Sequence, residues 1–308
     1  ITGLELPAGV VFDHPTVQQL AWFILREMGL PVKQAAIAET DQQDQLLDRL
    51  QDALAAPCCP ELQLGDWHIR PAVLADVARL SELEQAAYGW IGEEADASPE
   101  LITERIARLN SGAHAWFWVM EKSEQVVAWQ ILQPTQVDPD AYRSWAEATD
   151  DGTLASTFDP QGRYVYLVAA GSDQQLLTVS SHLLTLQTLM LFREMGHDCL
   201  FYCSAMPGYA QHYAETGQSP EDYIAITDQA GIPKDEFIAL SVYGWPVTPS
   251  FRVLRDGYPP DRDSCGHGVS VVFQLTDFDT AIADVCQQVI RHARLLDLAT
   301  DTNARELS

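Results

Sequence analysis

The chain is 308 residues long, with 47% apolar residues, six cysteines and a formal charge of −26. That acidity excludes the clustered Lys and Arg with which proteins hold phosphate backbones or anionic membrane surfaces, and no apolar run is long enough to span a bilayer. The cysteines (Cys58 and Cys59 adjacent, then Cys199, Cys203, Cys265 and Cys286) show neither paired metal spacing nor secreted-scaffold density, and no signal-peptide pattern opens the chain, so a reduced cytoplasmic setting without a metal site is expected.

Asp13 precedes His14 and Pro15, so its carboxylate can accept helix N-terminal amides while the proline starts a helix without losing a needed donor. Val17, Leu20, Ala21 and Ile24 then recur at helical spacing. Residues 29–66 turn to Gln, Asp and Ala. Within them 41–56 (DQQDQLLDRLQDALAA) predicts a polar helix with Leu46, Leu47, Leu50 and Leu54 on one face, either a lightly packed linker or a partner-docking helix. The main domain, 67–297, opens with an apolar strand through Ile69, an Arg-Pro-Ala turn and a helix that buries Val77, Leu80, Leu83 and Ala87. Ser98 and Pro99 cap and start a second helix. Strands are expected over 115–120 and 126–132, around the polar turn EKSEQ. A Gly- and Asp-rich insertion, 138–162, leads to a strand over 164–170. A helix over 178–195 is closed by Gly196, and a strand follows over 199–204. Residues 277–296 predict an amphipathic helix with Ile282, Val285, Val289 and Ile290 inward. The polar tail, 298–308, is expected to be disordered.

Three histidine or tyrosine positions stand out as chemistry candidates. His267, between two glycines, has an imidazole suited to acid or base work near neutral pH, or is a turn residue with no chemical duty. Tyr209 and His212 share a helical turn, and one of them lines a cleft or both lie on the surface. Cys265 lacks any base identifiable from spacing.

The residues 6–21 match L-P-x-x-x-x-F-D-x-P-T-x-x-x-L-A and resemble the last helix of an acyl carrier domain. Residues 1–28 are therefore expected to be a carrier remnant, and the chain, which begins at Ile1, a piece of a longer megasynthase. From 67 on, the Ile-Arg-Pro-Ala opening, Asp76 in the following helix, the block SAMPGYAQHYAETGQSPEDYIAI (204–226) and GYPPDRDSCGHGVSVVF (257–273) resemble the GCN5-related N-acetyltransferase (GNAT) superfamily, in particular the extended GNAT domains of polyketide loading modules. The resemblance implies an α/β fold: a mixed central sheet whose strands 164–170 and 199–204 splay apart, flanking helices and an extended C-terminal region. It further implies that backbone groups of Leu167, Val168 and Ala169 pair with a pantetheine arm, and that Thr178, Val179, Ser180 and Ser181 lie at the phosphate loop. Tyr213 falls at the position of the family's tyrosine that protonates the departing thiolate, or is a half-buried helix aromatic. Tyr243, Trp245 and Thr248 are expected in the substrate pocket.

Two departures shape the functional expectation. The phosphate loop has no glycine, so Cβ atoms crowd the approach of a pyrophosphate, and Thr178 serves there as a phosphate ligand or merely as a helix cap. The segment 238–254 lacks the histidine expected of a decarboxylating member. The reading is thus an acyltransferase that takes its acyl group from a phosphopantetheine thioester on a carrier protein, with coenzyme A disfavoured, and passes it to an amine, a thiol or a second carrier. A decarboxylating malonyl-thioester domain and an inactive scaffold are the alternatives. Expected partners are an acyl carrier domain and other megasynthase domains.

Overall fold

One mixed sheet organises the described residues, and only one of its strand pairs is parallel. The computed structural model describes residues 61–292 apart from 65, 90, 92–97, 174–175 and 259–260, and apart from the side chains of 177 and 178. All of these belong to the second of the two units into which the chain divides, Arg49–Ser308. The carrier-like segment 1–28, most of the linker 29–66 and the tail 298–308 lie outside the described residues.

The strands are β1 (Leu62–Leu64), β2 (Trp67–Pro71), β3 (Phe117–Lys122), β4 (Gln125–Thr135), β5 (Tyr164–Ser172), β6 (Cys199–Ser204), β7 (Ser250–Leu254) and β8 (Gly268–Gln274). Their order in the sheet is β1-β2-β3-β4-β5-β6-β8-β7, with β5 and β6 parallel and every other neighbouring pair antiparallel. Helices α1 (Val77–Tyr88), α2 (Pro99–Leu109), α3 (Trp145–Thr149), α4 (Leu177–Met195), α5 (Tyr209–Thr216), α6 (Pro220–Ile224), α7 (Glu236–Ser241) and α8 (Phe278–Arg291) complete the unit. None of the described helices is long and apolar enough to cross a membrane.

Most local signals act as expected. Ser98 Oγ accepts the Leu101 amide and Pro99 starts α2. Gly196 takes the left-handed conformation that ends α4, at φ 76°, which a residue bearing a Cβ adopts only at a cost. Asp277 caps α8, whose Ile282, Val285, Val289 and Ile290 are buried as predicted. The β3–β4 turn is tighter than the polar run EKSEQ suggests, since Ser123 and Glu124, both at positive φ, make the connection by themselves. A tight hairpin turn must match the twist of its strands, and positive φ at both residues does so.

Three elements differ from the sequence reading. Leu62–Leu64, assigned to the linker, pair with β2 and bury Leu62 and Leu64; three residues are too few to show an alternating pattern. Within the insertion, Ser144 caps the short helix α3. The segment 238–254 holds the end of α7 and the edge strand β7.

The Arg-Pro-Ala opening has a structural duty. Arg70 at the end of β2 makes two bonds of 2.8 Å to Asp76, and its Nε reaches Glu121 of β3 at 3.0 Å. Asp76 also accepts the Val73 amide, so the pair fixes the turn that sends the chain from sheet to α1. Burial opposes ionisation of Asp76, yet Arg70 and the Val73 amide hold its carboxyl below the usual range.

Candidate functional site

The site begins where β5 and β6 part. The two strands pair only at Val165–Leu200 and Tyr166–Phe201, and beyond them β6 turns toward β8 while β5 follows β4. A register shift between Ile131 and Leu132 of β4 leaves Val168 as an extra residue on β5. Such a bulge bends its strand and sharpens the twist, which assists the divergence.

Parted strands leave backbone groups that need partners. Aromatic side chains supply several of them. Tyr88 Oη, from the last turn of α1, donates to Ala170 O at 2.6 Å and accepts from Ala170 N at 3.2 Å. Trp145 Nε1 donates to Val168 O at 3.1 Å. On β6, Cys203 N donates to Tyr166 Oη at 3.1 Å. The gap is thus held open by side chains that mimic a missing strand.

A cavity of about 260 Å³ runs through this gap. Its wall includes Glu84, Tyr88, Arg105, Trp145 and Tyr258, the first turns of α4 at Ser180 and Ser181, and α7 with the loop after it at Leu240, Tyr243 and Trp245. Leu167–Ala170 and Tyr202–Ala205 form the strand edges between. Gly244, at φ 88°, brings the loop after α7 against α4, where an added Cβ would stand 3.4 Å from Ser181.

The expected site residues divide in two. Leu167, Val168, Ala169, Ser180, Ser181, Tyr243 and Trp245 line the cavity. Val179 is buried in α4 and does not line it, and Thr178 lies in the first turn of the same helix. Thr248 is exposed in the loop before β7, outside the lining. Tyr213, Tyr209 and His267 form a separate cluster. Tyr213 is 52% exposed, because it falls on the outer face of α5. Tyr209 is buried, with its ring 5.9 Å from that of Tyr213 and 5.8 Å from that of His267, and its hydroxyl donates to Gln218 O. His267 Nδ1 accepts the Asp256 amide, so the ring secures a turn.

The motif around this cluster is explained by Asp235. Its buried carboxylate accepts Gly208 N at 3.0 Å, Tyr223 Oη at 2.8 Å, Phe237 N at 3.0 Å and Ile238 N at 3.2 Å. The Pro-Gly-Tyr and the Ser-Pro-Glu-x-Tyr segments are thereby tied to the start of α7. Gly208 is required there, since a Cβ would stand 2.3 Å from Tyr223 Oη.

Tyr258, Glu84, Arg105, Tyr88 and Trp145 escaped the sequence reading. Only Tyr258 carried a signal, as the tyrosine of Tyr-x-Pro-x-Asp in the block 257–273. Its hydroxyl makes no hydrogen bond among the described residues, and burial raises its pKa well above the ordinary phenol value. Burial likewise pushes the Cys203 thiol up to about 12, so at neutral pH Cys203 is a thiol and no nucleophile. Among the described residues, no histidine lines the cavity.

No family model matches the chain, and no curated protein sequence matches it. Among solved structures it is similar to the GphF GNAT-like decarboxylase in complex with isobutyryl-CoA, with a TM-score of 0.54 and 22% identity over 68% of this chain and 99% of that one. It is also similar to the loading GNATL domain of CurA from Lyngbya majuscula, with a TM-score of 0.52 and 16% identity over 68% of this chain and 97% of that one. At these identities the likeness is one of fold: an eight-stranded mixed sheet, parted at one parallel pair and flanked by helices, is a GNAT-like fold.

Proposed function

We propose that the chain transfers an acyl group from a phosphopantetheine thioester to an amine, a thiol or a second carrier, with the thioester held in the gap between β5 and β6. The observation that carries this reading is the parting of the only parallel pair of the sheet into a cavity open along two strand edges. A pantetheine arm is extended and carries amides, which suits such an edge. Val168 O and Ala170 O are each in use once, but a carbonyl oxygen has two lone pairs and can accept an amide as well.

The chemistry follows from burial at the strand edge, which pushes the Cys203 thiol up to about 12. The acceptor's lone pair attacks the thioester carbonyl carbon, the carbon–sulfur bond breaks, and the sulfur leaves with the bonding electrons. A thiolate at this depth meets the penalty that raises the Cys203 thiol, so it must be protonated as it departs. In this reading Tyr258, in the cavity lining, gives that proton, and the proton lost by the acceptor restores it.

The donor we assign is a carrier-borne arm in preference to coenzyme A. No Lys or Arg occurs between Arg163 and Arg193, a stretch that includes β5 and nearly all of α4, and Asp173 sits just before the helix. A nucleotide end with its extra phosphates therefore finds no side-chain cation in this stretch, whereas a single phosphodiester asks less of it. Residues 1–28 as a carrier remnant belong to the same reading.

Intact-mass measurement of an acyl-loaded carrier, incubated with the protein and candidate amines, thiols or an empty second carrier, tests it. Movement of the acyl group from the carrier arm supports the reading, and faster transfer from the carrier than from the matching coenzyme A thioester supports the donor assignment. Carriers left unchanged with every acceptor overturn transfer. Loss of carbon dioxide from malonyl carrier alone would establish decarboxylation, the activity in the name of the GphF structure; the lack of a histidine among the described lining residues favours transfer.

A further inference from the structure

Gln130 lies in β4, whose residues after Gln125 are all buried. Neighbouring residues of a strand point to opposite faces of its sheet. The Trp129 ring packs edge-on against Tyr88 of α1 at 6.4 Å, whereas Gln130 meets α4, where its Nε2 donates to Thr188 Oγ1 at 2.5 Å. Thr188 Oγ1 itself donates to Leu184 O at 2.9 Å. Its one hydroxyl proton is thereby committed, so toward Gln130 it can only accept. The side-chain amide is thus fixed with its nitrogen toward Thr188 and its oxygen turned away.

Gln130 is 5% exposed and lines the cavity. Its Oε1 accepts no hydrogen bond among the described residues, and it is not one of the unpaired atoms that packing seals off. The same is true of the Thr185 hydroxyl, on a buried residue of the lining one turn before Thr188. Ala170 leaves room beside them. It stands opposite Gln130 across β4 and β5, so its side chain shares that face and adds only a methyl group.

A buried carbonyl oxygen without a partner destabilises a fold, and beside a cavity it suits a ligand that brings a donor. An alkyl group offers none, and an ionised carboxylate sets lone pair against lone pair. An ammonium group loses more hydration than one neutral oxygen returns. A neutral N–H or O–H pairs with Gln130 Oε1. A pantetheine arm carries amide N–H groups, and an arm that pairs with β5 at Val168 and Ala170 passes beside Gln130.

Resting on the acyl-transfer reading, we infer that Gln130 is a binding residue for the arm. Its side-chain oxygen accepts one amide N–H of the arm, and Thr188 is the positioning residue that keeps that oxygen turned to the cavity. The Thr185 hydroxyl is available to the polar atom next along the arm.

The test uses an unreactive alkyl thioether of phosphopantetheine and analogues in which each amide in turn is replaced by an ester, which keeps the shape and removes the N–H. Binding to the full chain is measured by calorimetry. One ester is expected to bind the wild type about 10-fold more weakly than the parent, and Gln130→Leu should abolish that loss while leaving any loss at the other amide. Thr188→Val, outside the cavity lining, should shrink the same discrimination about threefold by freeing the amide to turn. Ester losses unchanged in Gln130→Leu overturn the inference; should that variant fail to fold, unchanged losses in Thr188→Val do so. A thioether with a hydroxyl on its alkyl chain serves as a further probe. If it gains affinity through Gln130 while the ester losses persist, the oxygen reads the acyl group and the arm contact is overturned. Equal binding of parent and esters removes the Gln130 contact alone, whereas failure of every probe to bind removes the arm site and the acyl-transfer reading with it.

Discussion

Two tyrosine-rich regions of the molecule behave in opposite ways. In the cluster of Tyr209, Tyr213, Tyr223 and His267, polar atoms are spent on the fold or given to solvent: Tyr223 serves Asp235, Tyr209 serves Gln218 O, His267 serves Asp256 N, and Tyr213 is exposed. In the cavity, Tyr88 is likewise spent, on Ala170, and Tyr202 Oη donates to Ser241 O. Tyr258, also in the lining, makes no such bond among the described residues. A dense run of motif residues therefore marks the joint that braces α5, α6 and α7. A side chain already satisfied within the protein has little left for a substrate.

This contrast can be broken by single substitutions. The largest effect is expected from Tyr258→Phe, which should lower the acyl-transfer rate constant by about 10²-fold or more with an unchanged unfolding midpoint in urea; a wild-type rate would remove Tyr258 from the mechanism. Next comes Asp235→Ala. It strands the Gly208, Phe237 and Ile238 amides and the Tyr223 hydroxyl, and should cost about 3 kcal/mol in urea unfolding. If stability is unaffected, the motif has no bracing role.

Asp76→Asn should cost less, about 2 kcal/mol near neutral pH, because Arg70 keeps Glu121 as a partner. The sign of its pH dependence follows from the lowered Asp76 pKa. The native state releases this proton more readily than the unfolded chain, so the contribution is full above the unfolded value of about 3.9 and fades as pH falls through the folded one. The gap between wild type and variant should accordingly close in acid, and a gap constant with pH would rule out the Arg70 linkage. The smallest effect is expected from Tyr213→Phe, which should leave transfer within about twofold of wild type. A large loss of rate there, with Tyr258→Phe silent, would return the proton donor to α5.

Much of the frame was legible because it rests on short-range physics. Caps at Ser98 and Asp277, the stop at Gly196 and the buried stripe of α8 are decided within a few residues of themselves. The run CLFYCS coincides with β6 to the residue. The order of the strands and the longer helices in 67–204 then followed. Other elements were too short to carry a period: β1 has three residues and α3 five, and each exists by virtue of what it packs against.

What the sequence by itself determined is the sequence of elements and the likeness to a fold with a parted sheet. What only the tertiary structure decided is which residues share the cavity. Glu84 and Tyr88 sit one helical turn apart on α1, Arg105 on α2, Trp145 on α3, and Tyr258 in the loop before β8. Their separations along the chain show no pattern, because side chains meet there through burial and strand divergence, which no local spacing records. The same holds in reverse for Tyr213, which the resemblance puts at the position of a proton donor but which its helix turns outward. Helical periodicity says which residues share a face; only packing says which way that face looks.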